Sequence, residues 1–253
     1  PRTGSGGMKR AFDFTAAVLG LLVTSPVLVT VIAAIWLYDR GSPFYVARRM
    51  ARGGGTFSMV KLRSMVVNAD TTGAASTASD DRRITPIGKL VRACKLDELI
   101  QLWNVLKGDM SLVGPRPQVP RDAALYTEVE KRMLSVRPGI TDLASIVFSD
   151  EGDILHGSDN PDLLYNQIIR PWKSRLALLT IEKQSFGLDV WLIVLTAVAI
   201  VSKPVALRQI VKLLEKWGVD PLVIRMARRE EALIAYWPPG ATEVVMEYPR
   251  TAA

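Results

Sequence analysis

Residues 14–38 carry no charged side chain, and Asp13 and Asp39 close the stretch at its two ends. As a helix rising ~1.5 Å per residue, this run is about 37 Å long, enough to cross the hydrocarbon of a bilayer. Whatever else the chain forms must be built around that helix. A cleaved signal peptide fits poorly, because the run is too long and lacks a small-residue cleavage site. Ser25-Pro26 stands at its middle. A proline inside a helix removes one backbone hydrogen bond and clashes with the preceding turn, at a cost of about 3 kcal/mol, although kinked spanning helices tolerate it. Lys9 and Arg10 precede the run, while Arg40, Arg48, Arg49 and Arg52 follow it. Basic residues on both flanks are unlike the asymmetry of a spanning helix. The expectation is a helix-break-helix that enters one leaflet and returns to the cytoplasmic face.

The rest of the chain reads as α+β and mostly helical. Residues 1–7 read as a leader or expression remnant, with Met8 the expected native start. Gly41-Ser42-Pro43 ends the apolar helix, Phe44-Tyr45-Val46 starts a short strand, and Arg52-Gly53-Gly54-Gly55 makes a turn. Residues 56–67 then alternate apolar and polar, which predicts a small β-hairpin. On it Lys61 and Arg63 share one face, either as a diphosphate clamp or as charges protecting an edge strand. Residues 68–80 are small and polar and predict a loop. Further helices are expected over residues 122–134, 168–186 and 205–217. The uncharged run 190–202 is too short to span a membrane and suits a core or interfacial helix. His156 falls in a polar loop, and the chain from Tyr236 onward reads as irregular.

A net charge of +7 points to a polyanionic partner: nucleic acid, anionic membrane or phosphorylated substrate. The single cysteine, Cys94, excludes an internal disulfide, and the single histidine leaves no His/Cys cluster for zinc. Any metal must be a hard cation held by carboxylates and substrate phosphates. No phosphate-cradling glycine loop and no nucleic-acid-binding motif is present.

The chemistry concentrates at residues 95–117, KLDELIQLWNVLKGDMSLVGPRP. Leu96, Leu99, Leu102, Trp103 and Leu106 recur at helical spacing, Gly108 stops the pattern, and Asp97 and Glu98 fall in its first turn. A helix start favours negative charge, and Arg92 lies five residues upstream. Both effects are expected to keep Asp97 ionised, against the like charge of Glu98. Gly114-Pro115-Arg116-Pro117 is a stiff turn able to hold one guanidinium at a fixed angle.

This block resembles the signature of the bacterial sugar transferases, monotopic polyprenol-phosphate phosphoglycosyltransferases. Their pattern runs Leu-Asp-Glu-Leu-Pro-Gln-Leu, then Asn-Val-Leu-x-Gly-Asp-Met-Ser, then Val-Gly-Pro-Arg-Pro; here only Ile100 replaces the proline. The resemblance covers roughly residues 8–201. It includes Lys9-Arg10 and Ser25-Pro26 of the membrane segment, the basic-glycine turn with Arg49 and Gly54, and Lys61-Leu62-Arg63-Ser64-Met65. It continues with Arg83, Thr85, Gly88 and Arg92, and with Arg137-Pro138-Gly139-Ile140-Thr141. Ala47 stands where the family has glutamine, and Asp142 to Ile146 depart from it in the part expected to shape sugar recognition. The implied organisation is a re-entrant membrane helix over residues 8–40, a cytoplasmic catalytic domain over 41–203 and a C-terminal extension over 204–253.

The resemblance implies transfer of a sugar 1-phosphate from a UDP-sugar to polyprenyl (undecaprenyl) phosphate, with release of UMP. Asp97 is then the nucleophile that forms a covalent aspartyl-phosphosugar, and Glu98 helps to hold Mg²⁺. Lys61, Arg63, Arg92, Arg116 and Arg137 are the candidate phosphate ligands. The implied location is the cytoplasmic face of the bacterial inner membrane, with lipids as partners, no nucleic acid, and self-association left open. Direct transfer with Asp97 as general base is the alternative. A non-enzymatic basic adaptor on the membrane surface is the alternative of another class.

Overall fold

Helix α1 (Ser5–Asp39) is one uninterrupted element with Pro26 in its interior, in a computed structural model that describes residues 5–69 and 76–248. The expected break at Ser25-Pro26 is therefore corrected to a continuous helix, and two features explain it. The Leu22 carbonyl, which would bond the amide that the next turn lacks, instead accepts the Ser25 hydroxyl at 2.8 Å. A packed stripe also continues through the proline, with Leu21 before it and Leu28, Val31, Ile32 and Ile35 after it on one apolar cluster. The opposite face, including Leu22, Val23, Val29 and Leu37, is exposed.

The chain forms two compact units. One comprises Pro1–Ala69, Arg82–Ala124 and Leu134–Ile140; the other comprises Asp70–Asp81, Leu125–Met133 and Thr141–Ala253. In the first unit, β1 (Phe44–Met50) and β2 (Thr56–Leu62) make the expected antiparallel hairpin, with Tyr45 opposite Lys61, Ala47 opposite Met59 and Arg49 opposite Phe57. These six residues share one face, because side chains alternate along a strand. Ala47 and Met59 on it are buried. Part of the polar loop expected over 68–80, residues 70–75, lies outside the described residues.

Helix α2 (Pro86–Ala93) starts where Thr85 accepts the Gly88 amide at 2.9 Å, with Pro86 in the first turn. Gly88 has to be glycine, since a Cβ there would stand 1.9 Å from the Ser64 carbonyl oxygen. Lys95, at φ 55°, then turns the chain into α3 (Leu96–Leu99). The single helix expected over the signature is two short ones, α3 and α4 (Leu102–Lys107). Between them the Gln101 amide reaches Glu98 and the Trp103 amide reaches Ile100, three residues back instead of four. That tightening lets Leu96, Leu99 and Ile100 pack against Leu28, Ile35, Leu62 and Val91.

Strand β3 (Ser111–Val113) follows, then α5 (Pro120–Ala123) and β4 (Gly139–Thr141), which pairs with β3. The helix expected over 122–134 is replaced by short α5 and a 3₁₀ helix, Glu130–Ser135. The reason is Glu130, wholly buried rather than on a solvated face: it takes Arg170 through both oxygens at 3.0 and 2.6 Å and accepts Ser174 at 2.7 Å.

The second unit continues through α6 (Leu143–Val147), α7 (Glu151–Ile154) and α8 (Pro161–Leu164), and a π turn, Tyr165–Ile169, feeds α9 (Arg170–Glu182). Helices α10 (Phe186–Val201), α11 (Lys203–Lys216) and α12 (Pro221–Arg228) complete it around buried Trp172, Leu176, Leu192, Ile210, Leu214 and Met226. Beyond α12 the chain is irregular, as expected, but it is anchored. Tyr236 stacks between Trp172 and Trp237, with ring centroids 4.8 and 3.9 Å away, and the Trp172 indole donates to the Ile234 carbonyl at 3.1 Å. His156 is exposed beside Ser79.

Candidate active site

Asp97 and Glu98 lie in the four-residue helix α3, and Lys61 reaches them from the inner face of β2. Its ammonium stands 3.8 Å from the Asp97 carboxylate and 3.6 Å from that of Glu98. Arg116 completes the cluster, with its Nη2 donating to Glu98 Oε1 at 2.5 Å. The angle of Arg116 comes from the turn before it. Gly114 and Gly139 cross so closely that a Cβ on Gly139 would stand 2.1 Å from the Gly114 nitrogen, and one on Gly114 would stand 2.5 Å from the Arg137 carbonyl oxygen. The Gly139 amide closes the crossing on the Pro115 carbonyl at 2.9 Å. Val-Gly-Pro-Arg-Pro is thus a backbone crossing that aims one guanidinium.

The two adjacent carboxylates differ in environment. Burial alone would raise the Glu98 pKa, but Arg116 and Lys61 outweigh it and hold this carboxyl well below the usual range. At Asp97 burial prevails and pushes the carboxyl up; Lys61 opposes it, Glu98 adds to it, and Arg116 and Arg92 oppose it in turn. Arg92 lowers Asp97 as expected, but the net depression expected from it and the helix start is corrected, because burial outweighs them. A four-residue helix has little dipole to offer, and the side chain is only 14% exposed. Lys61 is itself pulled down, first by burial and then by the like charges of Arg116 and Arg49, against the attraction of both acids.

Of the residues proposed from sequence, Lys61, Asp97, Glu98 and Arg116 meet, and the charge of Arg92 is felt at Asp97. Arg63 is elsewhere. The strand ends at Leu62, so the alternation that put Arg63 beside Lys61 stops, and both terminal nitrogens of Arg63 bind Asp39 at 2.6 Å while its Nε binds the Ser42 carbonyl. Arg63 clamps the end of α1. Arg137 is exposed in the turn before β4, and the part it plays here is its carbonyl, against Gly114. Arg49, which the sequence marks only as part of a basic-glycine turn, is a further cation whose field reaches the Lys61 ammonium, and it lies on the same strand face.

Lys9 and Arg10 bind the same unit. Arg10 donates to the Val105 and Leu106 carbonyls at 2.5 and 2.7 Å, satisfying the C-terminus of α4, and Lys9 reaches the Val113 carbonyl. Buried Asp13 accepts the Ser111 hydroxyl at 2.8 Å and the Leu112 amide at 3.2 Å.

Among the described residues no group of three or more His, Cys, Asp or Glu is placed to hold a metal. The Asp97–Glu98 oxygens form a hard donor set that suits Mg²⁺, whose usual shell is completed by waters and substrate phosphates.

The family model for bacterial sugar transferases matches residues 5–203. The undecaprenyl-phosphate glucose phosphotransferase of Komagataeibacter xylinus is 38% identical over 192 residues, covering 71% of this chain and 36% of that protein. The exopolysaccharide production protein ExoY of Sinorhizobium fredii (strain NBRC 101917 / NGR234) is 37% identical over 157 residues, 56% of this chain and 70% of that one. The UDP-glucose:undecaprenyl-phosphate glucose-1-phosphate transferase of Caulobacter vibrioides is 37% identical over 157 residues, 58% of this chain and 56% of that one. The chain therefore spans between about a third and 70% of the length of these curated relatives.

Proposed function

The chain belongs to the bacterial sugar transferase family, and from that premise we propose that it moves a sugar 1-phosphate from a UDP-sugar to polyprenyl phosphate, the first membrane-linked step of a glycan. The observation that carries this reading is the split environment of adjacent carboxylates. Glu98 is held anionic by Arg116 and Lys61, whereas Asp97 is buried and its carboxyl is pushed up. Neighbouring acids driven apart in this way take different roles.

In this reading Asp97 attacks the phosphorus that bears the sugar. The bond from that phosphorus to the bridging oxygen breaks, UMP leaves with its electron pair, and the sugar phosphate stays on Asp97. A phosphate oxygen of the lipid then attacks the same phosphorus and frees the Asp97 carboxylate, giving the polyprenyl-diphosphate sugar. Lys61, Arg116 and Arg92, with Arg49 behind Lys61, offset the charge of the donor diphosphate before reaction, so the anionic nucleophile meets a partly neutralised target. Glu98, with donor phosphate oxygens, would hold Mg²⁺. When bound, the ion supplies further neutralisation of the transferring phosphoryl group.

The apolar helix bears on where this happens. The N-terminal end of α1 is tied by Arg10 and Asp13 to α4 and β3, and its C-terminal end is tied by Asp39 to Arg63. Both ends of α1 thus bind one compact unit. That supports a monotopic arrangement in which both ends stay on the cytoplasmic face of the inner membrane while the exposed apolar side meets lipid. Leu96 and Leu99 flank the acids and pack on the same cluster as Leu28 and Ile35, so an acceptor held beside α1 has a short route to Asp97.

Direct transfer, with Asp97 taking a proton from the acceptor phosphate, is the second reading; the raised Asp97 pKa favours it, since a stronger base is a better proton acceptor. One experiment decides. With UDP-sugar and Mg²⁺ but no lipid, a covalent mechanism releases up to one equivalent of UMP and adds the mass of a sugar phosphate to Asp97. Normal turnover with lipid, but no adduct and no lipid-independent UMP, would assign direct transfer. Chelation should abolish turnover by either route, and absence of UMP release from every UDP-sugar would remove the transferase reading itself.

A further inference from the structure

The inner edge of β2 is occupied by a side chain. Alternate residues of β2 turn their backbone groups toward β1, and the others, Ser58 and Val60 among them, face the other way. There Asn104 of α4, wholly buried, accepts the Val60 amide on Oδ1 at 3.0 Å and donates Nδ2 to the Ser58 carbonyl at 2.8 Å. The same Nδ2 donates to Asp109 Oδ2 at 3.1 Å, which fixes which way the amide is turned. The Asn104 carbonyl, in turn, accepts the Met110 amide at 3.2 Å.

One primary amide therefore reproduces the two hydrogen bonds that a neighbouring strand would make. It bonds the residue immediately before Lys61, and it projects from the helix that follows the acid pair. We propose that Asn104 is a positioning residue for the transfer reaction, acting as a one-residue third strand that holds Lys61 of β2 in register with Asp97 and Glu98 of α3. This inference rests on the functional reading above and assigns it a part that touches neither substrate nor reacting atoms. The chemistry requires an amide at this position, since only a group carrying both donor and acceptor on one planar carbon satisfies the Val60 amide and the Ser58 carbonyl together. A carboxylate would present an oxygen to the Ser58 carbonyl, and a serine spans only one of the two.

A double-mutant cycle tests the idea. UMP release with undecaprenyl phosphate is measured for wild type, Asn104→Ser, Lys61→Met and the double variant, alongside hydrogen exchange at the Val60 amide. Displacing a reacting constellation by about 1 Å costs on the order of 100-fold, so Asn104→Ser should lower kcat by about 10- to 100-fold and release the Val60 amide to exchange. In the Lys61→Met background the same substitution should add little, because the group it positions is gone. Asp109→Ala provides a milder second variant at a partly exposed position. It removes the orienting carboxylate without opening the interior, and it should give a smaller loss that also vanishes without Lys61. A folded Asn104→Ser protein whose loss multiplies fully with that of Lys61→Met, or whose Val60 amide stays protected, would overturn the assignment. Absence of UMP release from wild type would overturn the functional reading, and this inference with it.

Discussion

Replacing Arg116 by methionine separates two roles that a single rate measurement confuses. Arg116 makes a 2.5 Å charge-assisted hydrogen bond to Glu98, and its field also lowers Asp97 and Lys61. Such a bond contributes about 1.5–3 kcal/mol. At 1.36 kcal/mol per tenfold, the plateau of kcat/KM should fall by about 10- to 150-fold. The pH profile carries the more discriminating result. In the proposed mechanism Asp97 reacts ionised, so the acid limb lies where pH falls through its pKa; losing Arg116 raises that pKa and moves this limb to higher pH. In the same proposal Lys61 acts protonated, so the basic limb lies where pH rises through the lysine pKa. Losing the like charge of Arg116 raises that value too, and this limb also moves to higher pH. The whole bell should shift in the alkaline direction. Arg116→Lys, which keeps the charge but loses the planar fork, should lower the plateau and leave the limbs nearly in place. The assay is UMP release at low donor concentration across the pH range, where kcat/KM reports the free enzyme. A lowered plateau with unmoved limbs in Arg116→Met would show that Arg116 binds donor phosphate without setting the site's electrostatics, and limbs that separate would refute the parallel shift worked out above.

Three further outcomes follow from the same geometry. Asp97→Asn should abolish turnover yet raise Tm at neutral pH: burial pushes the folded carboxyl above its ordinary value, so stability falls as pH rises from the ordinary aspartate range through that raised value, and the advantage of asparagine should disappear in acid below the ordinary range. Arg63→Met should leave the donor KM unchanged but lower Tm through the lost clamp on Asp39; a raised donor KM at unchanged Tm would return Arg63 to the site. In a Cys94→Ser background, Gly7→Cys and Val46→Cys should label from the same side of the membrane, and labelling from opposite sides would exclude the monotopic arrangement.

The parts of this fold legible in the sequence are those written in short-range chemistry. Gly53 at positive φ, in the turn of the hairpin, and Thr85-Pro86 at the start of α2 each carry a local steric or hydrogen-bonding reason. So does the uncharged run of α1. The site was half legible for the same reason. Strand alternation puts Lys61 and Arg63 on one face, but it does not say that β2 stops at Leu62, so it groups Arg63 with a site from which Asp39 removes it. That partner lies across a chain reversal, and nothing in the local pattern marks it. The depressed Asp97 expected from a helix start failed because burial, a tertiary quantity, outweighs the dipole of one turn. Nothing local marks Asn104, because its partners lie on the edge of a strand more than forty residues upstream.

The docking of α1 decides where the polypeptide can be cut. Leu62, Val91, Leu96, Leu99 and Ile100 rest on its packed stripe, Gly20 lets Leu102 approach it, and Arg10 closes the end of α4. Removing the apolar helix to obtain a water-soluble enzyme would therefore strip one wall from the catalytic unit and bare the hydrophobic side of the helix that bears Asp97. A transplantable catalytic module begins ahead of α1 rather than after it. On the proposed monotopic arrangement detergent or lipid is then a requirement of the folded site, since the surface it would solvate is the outer side of the same helix whose inner side completes the core.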